Sequence, residues 1–217
     1  MLMTRSQQKE VIDISQLYVE LNFNVIGQSL PADHGYGLYS AIAHLAPQVH
    51  EREGVSILTI AGIPDRQGKI FLTERSHLRI RLPYECMPMV YHLAGKQLSI
   101  GTHSIRLGIP QIYMLRPVER LRARIVTIKN HQEAESFLAA ARLQLEALGI
   151  VGEAIVPLDI EGKPDRKTIK IKTYSVVGFG LEVSGLSEED SIKLQILGLG
   201  GKRRMGCGVF VPMKEVV

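Results

Sequence analysis

Apolar positions along the chain switch between a spacing of two and a spacing of three to four. Leu17, Val19, Leu21, Phe23 and Val25 alternate with polar residues, which predicts a strand over 16–26 with one buried face. Leu38, Ala41, Ile42 and Leu45 recur at helical spacing, so a helix is expected from near His34, with Asp33 as its cap. Pro47 pushes Ala46 out of helical geometry and breaks or turns that helix. Residues 55–63 and 69–82 are β-rich, with a Pro-Asp-Arg-Gln-Gly turn between them. A short helix over 83–95, closed by Gly95, and a strand over 97–109 complete the first half.

The second half repeats this order. A strand is expected over 119–129. A helix over 131–149 carries Phe137, Leu138, Ala141, Leu145 and Leu148 on one stripe and ends at Gly149. Strands follow over 152–158 and 167–186. Ser187, followed by Glu188, Glu189 and Asp190, caps a last helix and puts acids at its positive end. A strand over 206–212 closes the chain. Two βαββαβ patterns in series predict an α+β protein of two tandem ferredoxin-like units. The units would span 1–110 and 111–217, joined by an extended, Pro-flanked linker over 109–119. The halves share the pattern and no visible sequence identity.

The composition fits two small folded units: 217 residues, 45% apolar, 22% charged. No apolar run approaches the 18 residues of a membrane span, and the start MLMTRSQQKEVID lacks a signal peptide's apolar run. Cys86 and Cys207 lie far apart and form no CxxC, which points to a reducing cytoplasm and away from a disulfide scaffold or cysteine zinc site.

Charge sharpens the picture. Residues 1–110 carry 10 Lys+Arg against 9 Asp+Glu, and residues 111–217 carry 16 against 13. The excess is clustered in Arg116–Lys129, in Lys163–Lys172 and in Lys202-Arg203-Arg204. Arg120, Arg122 and Arg124 alternate with Leu121, Ala123 and Ile125, so one face of that strand is cationic. Lys170 and Lys172 opposite Ile169 and Ile171, and Arg79 and Arg81 opposite Ile80 and Leu82, repeat the device. Any one stripe reads as a solvated face; together they suggest a groove for an anionic polymer.

Residues 198–208 read Gly-Leu-Gly-Gly-Lys-Arg-Arg-Met-Gly-Cys-Gly. A P-loop needs Ser or Thr after the lysine, and here Arg203 follows Lys202. The dinucleotide fingerprint needs a glycine where Arg203 stands, after a strand rather than a helix. What remains is G-h-G-x5-G-h-G, with h apolar, between the last helix and the last strand. Glycines there allow close backbone approach, and the loop's N–H groups and three cations could receive phosphates.

Gly198, Gly200, Gly206 and Gly208 match the C-terminal signature of the CRISPR-associated repeat-processing endoribonucleases of the RAMP superfamily, which this sequence resembles. The segment 33–51, DHGYGLYSAIAHLAPQVHE, resembles that family's first-helix region, and with the short length is similar to its MYXAN-type subgroup. The resemblance implies an endoribonuclease that cuts precursor repeat RNA into guide RNAs without metal or cofactor. The ribose 2′-hydroxyl attacks the adjacent phosphorus, leaving a 2′,3′-cyclic phosphate and a 5′-hydroxyl. Its partners would be repeat RNA, as precursor and mature guide, and other subunits of an effector complex. The alternative is a non-catalytic RAMP subunit that only binds guide RNA.

Self-cleavage of RNA asks the protein for positioning, for proton transfer near neutral pH and for cations. The resemblance places the working histidine after the first helix, at His50, with His44 as runner-up and His34 third, a capping or surface residue. Tyr39 matches the family's helix tyrosine and would orient the ribose or stack on a base. The family's lysine just downstream of the histidine is missing: Glu51, Arg52, Glu53 and Gly54 stand there, so charge stabilisation is unassigned. The expected RNA contacts are Gly198, Gly200, Lys202, Arg203, Arg204, Gly206 and Gly208, with Arg120, Arg122, Arg124, Lys170 and Lys172. No Trp and 6% aromatics speak against base stacking of the RRM kind.

Overall fold

The computed structural model describes residues 18–213; Gln16 and Leu17 of the first expected strand lie outside them. The first half runs β1 (Tyr18–Ile26), β2 (Ser29–Pro31), α1 (Gly35–Leu45), α2 (Gln48–Glu51), β3 (Ser56–Ile57), β4 (Ile63–Pro64), β5 (Lys69–Phe71), β6 (His77–Pro83), α3 (Met87–Tyr91), β7 (Gln97–Ile100) and β8 (His103–Met114). The second half runs β9 (Leu121–Val126), α4 (Ala134–Ala147), β10 (Glu153–Ile155), β11 (Arg166–Ile171), β12 (Tyr174–Ser184), α5 (Glu188–Leu197) and β13 (Phe210–Pro212).

Both halves are ferredoxin-like. One antiparallel sheet has the order β3-β6-β1-β8-β7 and the other β10-β12-β9-β13, with β11 also paired to β12. Leaving aside β7 and β11, each sheet places its second, third, first and fourth strands side by side. Period-two patterning produces this directly: Val19, Leu21 and Phe23 are buried on β1, as are Leu121 and Ala123 on β9. Phe137, Ala141 and Leu145 of α4 pack over the second sheet. Ser187 caps α5 as its position predicts, its hydroxyl accepting from the Asp190 N–H at 3.1 Å.

Several elements are shorter or more broken than periodicity suggests. The expected strand over 55–63 splits into β3 and β4, which belong to different sheets. Residues 69–82 break at a turn near Ser76, whose hydroxyl accepts from the Thr73 N–H and donates to the Ala61 carbonyl. The span 97–109 is a hairpin, and β8 runs on to Met114 through much of the expected linker, because it pairs with β1 as far as Val19. The span 167–186 is also a hairpin. Its turn, Lys172-Thr173, puts Lys172 at φ 54°, so Lys172 is a turn residue and not part of a strand stripe.

β9 also departs from strict alternation. Its register with β12 shifts between Val126 and Ala123. This bulge leaves Leu121 and Ala123 in the core over the helices while Ile125 joins Ile169, Ile171 and Cys207 in a separate cluster with Tyr36 of α1. Ile125 therefore does not share the face of Leu121 and Ala123. The cluster it joins ties the two halves together. Burial there pushes the Cys207 thiol up to about 11, which keeps it protonated and unreactive.

A second tie is ionic. Arg81, counted from sequence among surface cations, is 2% exposed. It pairs with Glu20 at 2.9 Å on the neighbouring strand and donates across to the carbonyls of Gln195 (2.6 Å) and Phe210 (2.9 Å). Arg79 also reaches Glu20, at 3.4 Å. The Arg79–Arg81 stripe is thus structural. Its arginines meet partners 59 to 129 residues away in the chain, which no local pattern reveals.

Candidate functional site

Ala46 and Pro47 shape the first wall of the site. α1 ends at Leu45, Ala46 leaves helical geometry at φ −131° and ψ 73°, and Pro47 at φ −57° starts α2. Pro47 therefore breaks one helix and begins another. The single turn of α2 buries Val49 and leaves His50 exposed. Tyr39, half-buried on the flank of α1 beside Leu38, shares a hydrogen bond between its hydroxyl and His50 Nδ1. Their rings stack with centroids 6.2 Å apart and planes 30° apart. This bond occupies Nδ1, and among the described residues nothing bonds Nε2.

The opposite wall is the loop between α5 and β13. Gly198, Gly200, Gly206 and Gly208 all have φ between 62° and 78°. A Cβ on Gly208 would lie 1.9 Å from the Leu199 carbonyl oxygen, one on Gly198 2.2 Å from that of Gly208, and one on Gly200 2.3 Å from that of Thr127. The paired glycines are thus needed to fold the loop on itself. They do not open its amides to phosphate: the N–H groups of Gly198, Leu199, Gly200, Gly201, Gly206, Cys207 and Gly208 already donate to protein acceptors. Contrary to the expectation from sequence, these amides are not free for phosphate, and what the loop offers an anion is Lys202, Arg203 and Arg204.

The two walls face each other across a cleft of about 1080 Å³ lined by Tyr39, His50, Arg52, Lys202, Arg203 and Arg204, together with Tyr18, Glu51 and Glu53. Lys202 sits in the left-handed region at φ 64°. Arg203 donates to the Leu197 carbonyl at the C-terminal end of α5, and Arg204 to the Arg52 carbonyl. Both guanidiniums are held in place while keeping their charge in the cleft. Arg52, nearest the family's lysine position, is turned aside: its Nε donates to Cys86 Sγ at 3.1 Å and Nη2 lies 3.6 Å from Glu85. Sequence reading missed Tyr18, the first described residue of β1, which lines the cleft. Burial raises its phenol pKa, which Arg203 partly offsets.

Other sequence candidates lie elsewhere. His44 is exposed in a separate groove with Tyr36, Ser40, Gln97 and Ser99. His34 holds the N-cap position of α1, as one of its two expected roles has it, but its side chain makes no cap bond and it is not a surface residue. It is 2% exposed, with Nδ1 bonded to the Pro31 carbonyl at 2.8 Å and Nε2 accepting from the Ile60 N–H at 2.9 Å. Desolvation holds its pKa below the ordinary value. Asp33 caps nothing; its carboxylate accepts from the Lys170 N–H in the other half. Arg120, Arg122 and Arg124 are exposed as expected, yet neither they nor Lys170 and Lys172 line the cleft. In the basic run 163–172, Lys163 pairs with Glu161 and Lys167 with Asp165. Among the described residues no group of three His, Cys, Asp or Glu is placed to hold a metal, and no helix is long and apolar enough to cross a membrane.

Comparison with known proteins bears on the family and the fold. A family model described as Cas6 CRISPR matches residues 19–215. The CRISPR-associated endonuclease Cas6 of Myxococcus xanthus (strain DK1622) is 37% identical over 196 residues, which cover 90% of this chain and 82% of that protein. Among solved structures, a CRISPR-associated protein Cas6 is similar with a TM-score of 0.62 at 14% identity, over 91% of this chain and 99% of its own. A Cas6-related protein of Pyrococcus furiosus gives the same score and identity, covering 92% and 99%. At such identities the structural likeness bears on the fold alone.

Proposed function

Because the chain belongs to the Cas6 family of CRISPR-associated endonucleases, we propose that it cleaves CRISPR repeat RNA in a precursor transcript. The ribose 2′-oxygen bonds to the adjacent phosphorus as the bond to the 5′-oxygen breaks. The 2′-hydroxyl proton leaves to a base and a proton reaches the departing oxygen, giving a 2′,3′-cyclic phosphate and a 5′-hydroxyl. The reaction needs no metal. His50 Nε2 carries the proton transfer, which suits an imidazole near neutral pH. Tyr39 holds the ring through Nδ1 and so acts as a positioning residue. Lys202, Arg203 and Arg204 meet the charge that grows on phosphorus, in place of the missing lysine. In this reading the unit 1–110 brings the imidazole and the unit 111–217 brings the cations.

The observation that carries the reading is the single cleft in which His50, bonded to Tyr39, faces the loop Lys202–Arg204. The exposed cations Arg120, Arg122, Arg124, Lys170 and Lys172 lie outside it and serve RNA further from the scissile bond. The test is incubation of purified protein with synthetic repeat RNA in EDTA, with analysis of the product ends. One cut bearing a cyclic phosphate is expected. A gel shift without any cut would instead identify a guide-RNA-binding subunit, the reading that the displaced Arg52 favours.

A further inference from the structure

Nineteen of the twenty glycines have an internal reason to be glycine. Each either has φ in the left-handed region or would place a Cβ 3.2 Å or less from another part of the protein, tighter than ordinary contact. Gly201 alone has neither: its φ is ordinary and a Cβ there would meet open space. Folding does not demand glycine at this point, although it sits inside a loop whose four signature glycines are all required.

Its location is specific. Gly200, Gly201 and Lys202 line the cleft that holds His50, and they also line a second groove of about 660 Å³ on the far side of the loop. Gly201 is thus on the saddle between the two. The second groove is lined by apolar Ile128, Val176 and Val177 and by polar Lys129, Asn130 and Gln132. Among the described residues no acidic side chain lines it, whereas the His50 cleft has Glu51 and Glu53 on its border. Its volume falls in the range of about 300–1,000 Å³ typical of sites for small organic groups.

We infer that the second groove binds an unpaired nucleotide of the repeat RNA and that the strand crosses from the His50 cleft over Gly201. The inference rests on the proposed RNA substrate and extends it. Apolar side chains take the face of a base, the amides of Asn130 and Gln132 read its edge, and Lys129 and Lys202 take the flanking phosphates. A side chain at position 201 would stand in the strand's path without disturbing the protein.

The experiment compares wild type, Gly201→Val and the double variant Asn130→Ala/Gln132→Ala, measuring thermal midpoint, affinity for repeat RNA and cleavage rate. Gly201→Val should keep the wild-type midpoint and lose about tenfold or more in affinity, the order of one base contact. Asn130→Ala/Gln132→Ala should also weaken binding, and most for repeats with unpaired bases beside the cut. Wild-type protein that binds repeat RNA, with both variants binding and cutting equally well, would overturn this inference alone. Wild-type protein that does not bind repeat RNA in low salt would overturn it together with the proposed function.

Discussion

The two halves share a strand order and differ in which connection they elaborate. In the first half the link from α1 to β3 is expanded: it adds a one-turn helix and displays His50 against Tyr39. In the second half the equivalent link, from α4 to β10, is a tight Leu148–Gly152 turn held by bonds from Leu148, Gly149 and Ile150 to the end of α4. The link after the second helix shows the reverse. In the first half it leads to the plain β7–β8 hairpin, and in the second it is the glycine-rich loop with its three cations. One scaffold, used twice, therefore yields two different walls, and the proposed chemistry would reside in the loops.

The walls also differ in what makes them. The His50 wall depends on side chains, and the loop wall on backbone packing that only glycine allows. Mutation should separate them. The largest effect is expected from His50→Ala, which should lower the cleavage rate by about 10²–10⁴-fold while leaving RNA affinity and thermal stability intact; single-turnover cleavage and a gel shift check it. His44→Ala, in its separate groove, should leave the rate unchanged, and a loss there would move the assignment. Gly208→Ala attacks the other wall. With φ at 65° and a carbonyl oxygen 1.9 Å from the new Cβ, it should cost roughly 3 kcal/mol of stability, read by thermal unfolding, and reduce binding and cutting together.

Tyr39→Phe sharpens the contrast within the His50 wall. Loss of the bond to Nδ1 should slow cleavage by up to about 10²-fold through misplacement of the ring, with affinity retained. A smaller effect comes from His34. Burial holds its pKa below the ordinary 6.5, so the unfolded chain takes up a proton that the folded chain refuses. Stability should be fully present above about pH 6.5 and fall as the pH drops below it. His34→Gln should flatten that slope in denaturant titrations across pH. Ser187→Ala, which removes the α5 cap, should cost only about 1 kcal/mol.

Legibility of the sequence followed the range of the interactions. The buried stripe of α4, the Ser187 cap and the Pro47 break are local, and periodicity and capping rules predict them. The glycine spacing was visible, while its internal cause, a loop folded back on Leu199 and Thr127, was not. The Lys172-Thr173 turn lacks the glycine or asparagine that marks most hairpins, so β11 and β12 read as one strand. Arg81, Asp33 and His34 have polar residues' ordinary surface look, and their partners lie 26 to 137 residues away for the contacts that decide their roles. Tyr18 carries no motif, and only the folded cleft places it beside Arg203. The pairing of Tyr39 with His50 was suggested by resemblance alone; its hydrogen bond emerged from the turn at Pro47.

The central claim is that the imidazole and the cationic loop make the RNA's own 2′-hydroxyl the attacking group. A repeat RNA with a single deoxyribose immediately upstream of the cut site tests it most directly. Binding should persist and cleavage at that bond should vanish; scission at an unchanged rate would contradict the account.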